Sequence, residues 1–247
     1  MMMKKYNLLT LFIASNIFMY AQSVVKAPNQ YESTWRLKQM IRNQLNTQSR
    51  DYAIDYKDIK GSPYENETFN LGEIFINNDN KGQYFLRYNT YKDEVEILKS
   101  KQEDQAPIFD TLLNRENLKV VIGNNTFNTF NYADESNIPK IGWFLDLNVT
   151  GAYKLYAKKR TVLTPAVKAT SPNESGRAAR FTTYADYYIL KNNTDELELI
   201  STKKKAFFKY FNKYSRQIKT FIKKEKLKIK KEADLVKVIS YINTLYN

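Results

Sequence analysis

Histidine and cysteine are both absent from this chain of 247 residues. Without imidazole or thiolate there is no Ser-His-Asp or Cys-His nucleophile system. Ordinary zinc, copper and iron sites rest on the same two ligand types and are excluded with them. Disulfides are excluded too, so the fold must hold without covalent staples. Carboxylate, lysine, tyrosine, hydroxyl and backbone chemistry remain open. No cofactor and no metal site is expected, and the chain is expected not to be an enzyme. Long apolar runs are scarce as well. Past the first twenty or so residues, nothing approaches the roughly 20 apolar residues that a membrane-crossing helix needs.

The start of the chain is different. Lys4 and Lys5 precede a short apolar run from Leu8 to Tyr20, interrupted by Ser15 and Asn16, and small or neutral residues come next at Ala21, Gln22 and Ser23. A positive start, a short apolar core and a small-residue exit form the tripartite pattern of a cleaved secretory signal, so residues 1–22 are expected to be a signal peptide. Cleavage after Ala21 or after Ser23 would both fit. No cysteine is present to carry a lipid, so the mature chain is expected to be soluble or peripherally bound: periplasmic, outer-membrane-associated or secreted. The remaining length of about 225 residues suits one or two ordinary domains.

Charge is unevenly distributed. The formal net charge is +13, of which Lys4 and Lys5 supply two. From Lys203 to the end there are 14 basic and 3 acidic residues (Glu225, Glu232, Asp234), an excess of +11, so residues 23–202 are neutral as a whole. Lysine is an abundant surface residue here, and a solvated face is one reading of the excess. Its confinement to one end favours another: a docking surface for an anionic partner such as lipid headgroups, lipopolysaccharide, an acidic envelope protein or nucleic acid. Nucleic acid is the weaker of these. The candidate binding residues are Lys203, Lys204, Lys205, Lys209, Lys213, Lys219, Lys223 and Lys224.

Hydrophobic periodicity divides the chain after the signal into a leader (23–51), a β-rich body (52–200) and a basic helical segment (201–247). In the leader, Leu37, Met40, Ile41 and Leu45 recur at helical spacing. The body holds β-branched and aromatic runs at Gly72–Ile76, Gln83–Asn89, Glu94–Leu98, Leu118–Ile122, Thr126–Tyr132, Gly142–Thr150, Ala152–Ala157, Phe181–Lys191 and Leu197–Ile200. Polar turn clusters at 77–82, 123–125 and 192–195 separate some of them. Alternation such as Glu94-Val95-Glu96-Ile97 gives one apolar and one wet face, as in an antiparallel sheet. Residues 159–180 lack either periodicity and read as a long loop, functional or disordered. From Thr202 the period becomes helical. One stripe is Ala206, Phe207, Tyr210 and Phe211. A second, which Ser215 could cap, is Ile218, Phe221 and Ile222, and a third is Leu235, Val238, Ile239, Ile242 and Leu245. These are core-facing stripes with lysine opposite. The expected fold class is α+β, an antiparallel sheet or sandwich followed by a carboxyl-terminal helical segment.

Several motifs carry a family likeness: Asp58-Ile59-Lys60-Gly61-Ser62-Pro63-Tyr64, Gly72-Glu73-Ile74-Phe75, Leu86-Arg87-Tyr88-Asn89-Thr90-Tyr91-Lys92-Asp93-Glu94-Val95-Glu96, Gly142-Trp143-Phe144, and the end from Phe221 through Leu235 to Tyr241. On these the chain resembles a family of uncharacterised exported proteins common in Bacteroidetes, over most of residues 52–246. The resemblance implies export and carries over no catalytic residue. Read as structure, Gly61-Ser62-Pro63 is a turn entering a strand, and Glu94 and Glu96 fall together on an exposed face. As chemistry, that pair could serve a carboxylate-based glycan hydrolase, though raised carboxyl pKa values would need burial. Asp79 with Asn77 and Asn80 superficially suggests a calcium loop, but the ligand spacing fails the EF-hand pattern. The leading expectation is a non-enzymatic envelope protein that acts by binding, with oligomeric state open. An exported nucleic-acid-binding protein is a further alternative. An outer-membrane barrel is not expected, because the chain ends in helices and its strands lack a repeated lipid-facing band.

Overall fold

The computed structural model describes residue 56 and residues 59–100, 108–133, 138–168, 175–192 and 194–246. The expected signal peptide, the leader with its helical stripe, and Asp58 lie outside the described residues. Among the described residues ten strands come first: β1 (Asn70–Ile76), β2 (Asp79–Asn89), β3 (Glu94–Ser100), β4 (Ile108–Leu112), β5 (Leu118–Ile122), β6 (Asn125–Ala133), β7 (Pro139–Asp146), β8 (Tyr153–Thr164), β9 (Arg180–Lys191) and β10 (Leu197–Ile200). Three helices complete the order: α1 (Lys204–Tyr210), α2 (Ser215–Lys224) and α3 (Glu232–Thr244), with a 3₁₀ turn at Asn212–Tyr214. The fold is therefore an antiparallel sheet followed by a carboxyl-terminal helical segment, as the hydrophobic pattern implied.

All ten strands form one sheet in the order β10-β9-β8-β7-β6-β5-β1-β2-β3-β4, with every pairing antiparallel. Two meanders thus run outward from a shared centre where β1 pairs with β5. Local chemistry sets the tight turns. Asn77 and Asn78 join β1 to β2 with φ of 52° and 67°, the left-handed pair that a two-residue hairpin needs and that asparagine tolerates. β4, Ile-Phe-Asp-Thr-Leu, is a strand that the sequence reading missed. Its alternation is short, but Leu112 is fully buried and Val95 pairs with it across the ladder. The stretch expected to run as strand from Gly142 to Thr150 instead ends at Asp146.

One sheet face and the helices share a single core. Ile74, Leu86, Val95, Val120, Trp143, Leu155 and Ile189 from the strands pack in one cluster with Phe207, Phe211, Ile218, Leu235, Val238, Ile239 and Ile242. Burying each such side chain stabilises by about 1.5–3 kcal/mol, so the helical segment is part of the core that the strands build. α3 lies along β8 and is pinned at both ends. At its start, Glu232 Oε2 accepts from Lys159 Nζ and from Tyr187 Oη. At its end, the buried Asn243 accepts from Tyr153 N and donates to the Thr150 and Tyr153 carbonyls at 2.8–2.9 Å. Gly151 (φ 128°) lets the chain pass there, since a Cβ would stand 2.6 Å from Asn243 Cγ. Phe221 of α2 stacks on Tyr241 of α3 with ring centroids 4.0 Å apart. Two details of the helical reading change. Ser215 is the first helical residue, so the N-cap position falls to Tyr214, whose side chain makes no capping hydrogen bond, and Ala206 is exposed while Phe207 takes the core position.

The sheet parts between β7 and β8, which pair only at Leu145–Ala157 and Asp146–Tyr156. The β2–β3 turn fills the opening. Thr161 N donates to Thr90 O, the two threonine hydroxyls are in hydrogen-bond contact, and Trp143 N donates to Asp93 Oδ1. Residues 60–64 complete the closure. Phe181 N donates to Lys60 O, and Tyr91 N to Pro63 O. Gly61 (φ 89°) is needed there because a Cβ would lie 2.8 Å from Phe181 O. The Gly-Ser-Pro motif therefore ties two distant strand ends together and does not lead into a strand.

Candidate functional site

Of the paired acidic residues of β3, Glu94 is half-buried and Glu96 is not on a wet face at all. Glu96 is buried at 1% exposure, because residues 64–69 cross over this part of the sheet. Its Oε2 accepts from both Arg87 Nε and Arg87 Nη2, and its Oε1 accepts from Asn89 Nδ2. Arg87 is held in turn by donation to Glu67 O, and its guanidinium lies 3.6 Å from the Tyr64 ring centroid and 4.2 Å from that of Phe69. A carboxylate whose oxygens are all engaged by a guanidinium and an amide serves structure. The expectation that Glu96 is exposed was wrong because period-two alternation reveals which residues share a face but not whether a loop covers that face. Beside this pair opens a cleft of about 420 Å³ lined by Tyr56, Ile59, Ser62, Pro63, Tyr64, Glu67 and Arg87. Burial pushes the Tyr64 phenol up to about 12, with the nearby Glu96 charge adding to the shift.

A second ion pair, of the buried Lys158 with the half-buried Asp93, stands where the sheet parts. Lys158 Nζ donates to Asp93 Oδ2 and to Trp143 O, and Tyr88 Oη donates to Asp93 Oδ1. Asn114 bridges the Asp93 and Ile141 carbonyls and accepts from Trp143 Nε1 at 2.6 Å. Burial lowers the Lys158 pKa, and the Asp93 carboxylate opposes that shift. Burial likewise raises the Tyr88 phenol well above its usual range, reinforced by the Asp93 charge. Nothing in the sequence marked Lys158 apart from other lysines, because its partner comes from a remote turn. Among the described residues no group of three or more Asp or Glu side chains could hold a metal ion.

The lysine-rich end has the opposite character. Lys203, Lys204, Lys205, Lys209, Lys213, Lys219, Lys223 and Lys224 are all exposed. None of them forms an ion pair with a carboxylate among the described residues. Two lie against rings, Lys213 Nζ 5.1 Å from the Tyr214 centroid and Lys219 Nζ 5.1 Å from that of Phe208. The structure adds a stretch that the sequence reading left out. In the link between α2 and α3, Lys226, Lys228, Lys230 and Lys231 are exposed while Ile229 is buried between them. Leu227 N donates to Ile222 O and Lys228 N to Asp234 Oδ2, so this link is fixed against the helices. Two of the segment's three acidic side chains are spent internally, Glu232 on Lys159 and Tyr187 and Asp234 on the Lys228 amide. The positive charge is therefore left facing outward.

Comparison with known proteins found no matching family model, no matching curated protein and no matching solved structure.

Proposed function

We propose that this chain is an exported, non-enzymatic protein of the cell envelope that works by binding, and that its basic helical segment docks on an anionic surface. One observation carries the reading: eight exposed lysines and four more in the α2–α3 link stand on one segment with no carboxylate partner among the described residues, while the apolar stripe beneath them is buried. Lysine supplies point charges without the fixed fork of arginine, which suits a diffuse polyanionic surface better than a shaped anion site. No helix among the described residues is long and apolar enough to cross a membrane, so peripheral attachment is the mode considered. Each lysine near an anionic bilayer contributes about 1 kcal/mol. A Lys219→Gln, Lys223→Gln, Lys224→Gln variant should then bind vesicles of phosphatidylglycerol and phosphatidylethanolamine roughly a hundred-fold more weakly. Wild-type binding should fall as salt rises. Equal sedimentation of variant and wild type with these vesicles at low salt would overturn the proposal. Preferential capture of double-stranded DNA, with a steep salt dependence, would replace it with nucleic-acid binding.

A further inference from the structure

The contact between Lys158 and Asp93 has an asymmetry that an ion pair does not require. Lys158 lies midway along β8, which runs on in register with β9, so residues 159–164 and 180 are ordered strand, contrary to the loop expected over 159–180. Its Nζ stands 2.5 Å from Asp93 Oδ2 and 3.1 Å from Trp143 O. The other carboxylate oxygen, Oδ1, accepts from Tyr88 Oη at 2.7 Å and from Trp143 N at 3.3 Å. The nitrogen therefore faces one oxygen of the carboxyl group while two donors hold the other.

The surroundings of the nitrogen are apolar. The Tyr132 and Phe144 rings lie 5.1 Å and 5.0 Å from Nζ, and the Lys158 side chain is 7% exposed. Gly142 closes the site with backbone alone, since a Cβ there would lie 2.5 Å from Nζ and 2.6 Å from Oδ2. The Asp93 side chain is 25% exposed, which leaves a released water a way out on the carboxyl side. Burial disfavours the charged forms, as the lowered Lys158 pKa reflects. A proton passed from Nζ to Oδ2 turns the ion pair into an amine beside a carboxylic acid. Two reacting groups held in such contact have an effective concentration of about 10⁵–10⁸ M when well aligned.

We infer that Lys158 and Asp93 condense into an intramolecular amide, an isopeptide cross-link between β8 and the β2–β3 turn. Nζ, having given one proton to Oδ2, attacks Cγ. The carbonyl electrons move onto Oδ1, where Tyr88 Oη and Trp143 N stabilise the developing charge as an oxyanion hole does. A second proton passes from the nitrogen to Oδ2, the Cγ–Oδ2 bond breaks, and Oδ2 leaves as water. An ammonium and a carboxylate thus become an amide and a water, with no oxidant and no co-reactant. The bond closes a loop between positions 65 apart, across the place where β7 and β8 share two paired positions, in a chain that can form no disulfide. Before it forms, the two groups are an ion pair, and the unlinked chain is the reference for substitutions that break that pair. The cross-link does not depend on the docking function.

Intact-mass spectrometry of the full chain, as purified and during incubation at neutral pH, tests this with Lys158→Arg run alongside. That variant keeps a cation beside Asp93 but offers no primary amine. The wild type should become lighter than its sequence mass by one water, while Lys158→Arg keeps its full mass. Proteolysis should then release a branched peptide joining the segment that holds Asp93 to the segment that holds Lys158, and trypsin should no longer cut after Lys158. Tyr88→Phe keeps the ring in the core and removes a donor to Oδ1, so it should link more slowly by about tenfold or more. A wild type that keeps its full mass after prolonged incubation overturns the inference. A water lost equally from Lys158→Arg overturns it too, because that loss arises elsewhere in the chain. Tyr88→Phe linking as fast as the wild type overturns the part given to the phenol.

Discussion

Asp93 and Lys158 are 65 positions apart in the sequence, and their side chains meet in the opening between β7 and β8. Asp93 sits at a left-handed position of the β2–β3 turn with φ 57°, and the turn backbone carries its carboxylate across the sheet. The pair joins the two halves of a ten-stranded sheet that backbone pairing alone leaves open.

Removing one member of such a pair leaves the other charged and poorly solvated, a loss of about 3–5 kcal/mol when burial is complete. Lys158 is the more buried partner, 7% exposed against 25% for Asp93. Asp93→Asn keeps a residue that tolerates the left-handed backbone yet strands the Lys158 ammonium, and should lower stability by about 3 kcal/mol. Lys158→Met leaves only the better-solvated carboxylate and should cost less. Urea unfolding with unchanged slope would measure both, and an equal or larger loss for Lys158→Met would contradict this account.

The Arg87–Glu96 pair should show strong coupling. Glu96→Leu and Arg87→Met each leave one buried charge unpaired, whereas the double substitution removes both. The double variant should be more stable than the summed single losses by at least about 1–2 kcal/mol, because neighbours in one ion-paired network are not additive. A double-mutant cycle by guanidinium unfolding tests it.

Gly142 faces the same opening. A Cβ there would lie 2.5 Å from Lys158 Nζ, 2.6 Å from Asp93 Oδ2 and 2.8 Å from the Tyr132 ring. Crowding a packed site costs about 1–3 kcal/mol, so Gly142→Ala should destabilise by that amount. In a Lys158→Met background the penalty should shrink, since the nearest atom is gone, and thermal unfolding of the four proteins would show it.

Alkaline pH should unfold the protein through its tyrosines. Burial raises Tyr156 and Tyr187 to about 12, with help from Asp146 and Glu232 respectively. In the unfolded chain these phenols titrate near their ordinary value of about 10. The native state therefore holds protons that the unfolded state releases. The stabilisation is complete below pH 10 and is lost as pH climbs from about 10 through 12. Lys158 acts in the opposite sense, because its lowered pKa makes the native state more favoured as pH rises toward the ordinary lysine range. The tyrosines outnumber it, so net stability should fall above about pH 10. Absorbance in the near-ultraviolet phenolate band, recorded alongside circular dichroism, should show these phenolates appearing together with unfolding.

Much of the framework was legible in the sequence. Runs of β-branched and aromatic residues located nine of the ten strands at least in part, and the three- and four-residue stripes located Phe207, Ile218 and Leu235 in the core. The exposure of the eight lysines came from the same stripes, because a helix that buries one face must show the other. The sequence reading missed β4, which is placed by its ladder to β3, and residues 159–164, whose strand is set by pairing with β9.

By itself, then, the sequence determined the antiparallel class, the helical end, the concentration of positive charge and the chemistries that no histidine or cysteine can support. Tertiary structure alone decided that Glu96 is buried against Arg87, that Lys158 is held by Asp93, and that the β2–β3 turn fills the opening where the sheet parts. Local pattern records which side of an element a residue takes. Which distant segment arrives to cover that side depends on strand order and on where the sheet parts, and those are properties of the whole chain.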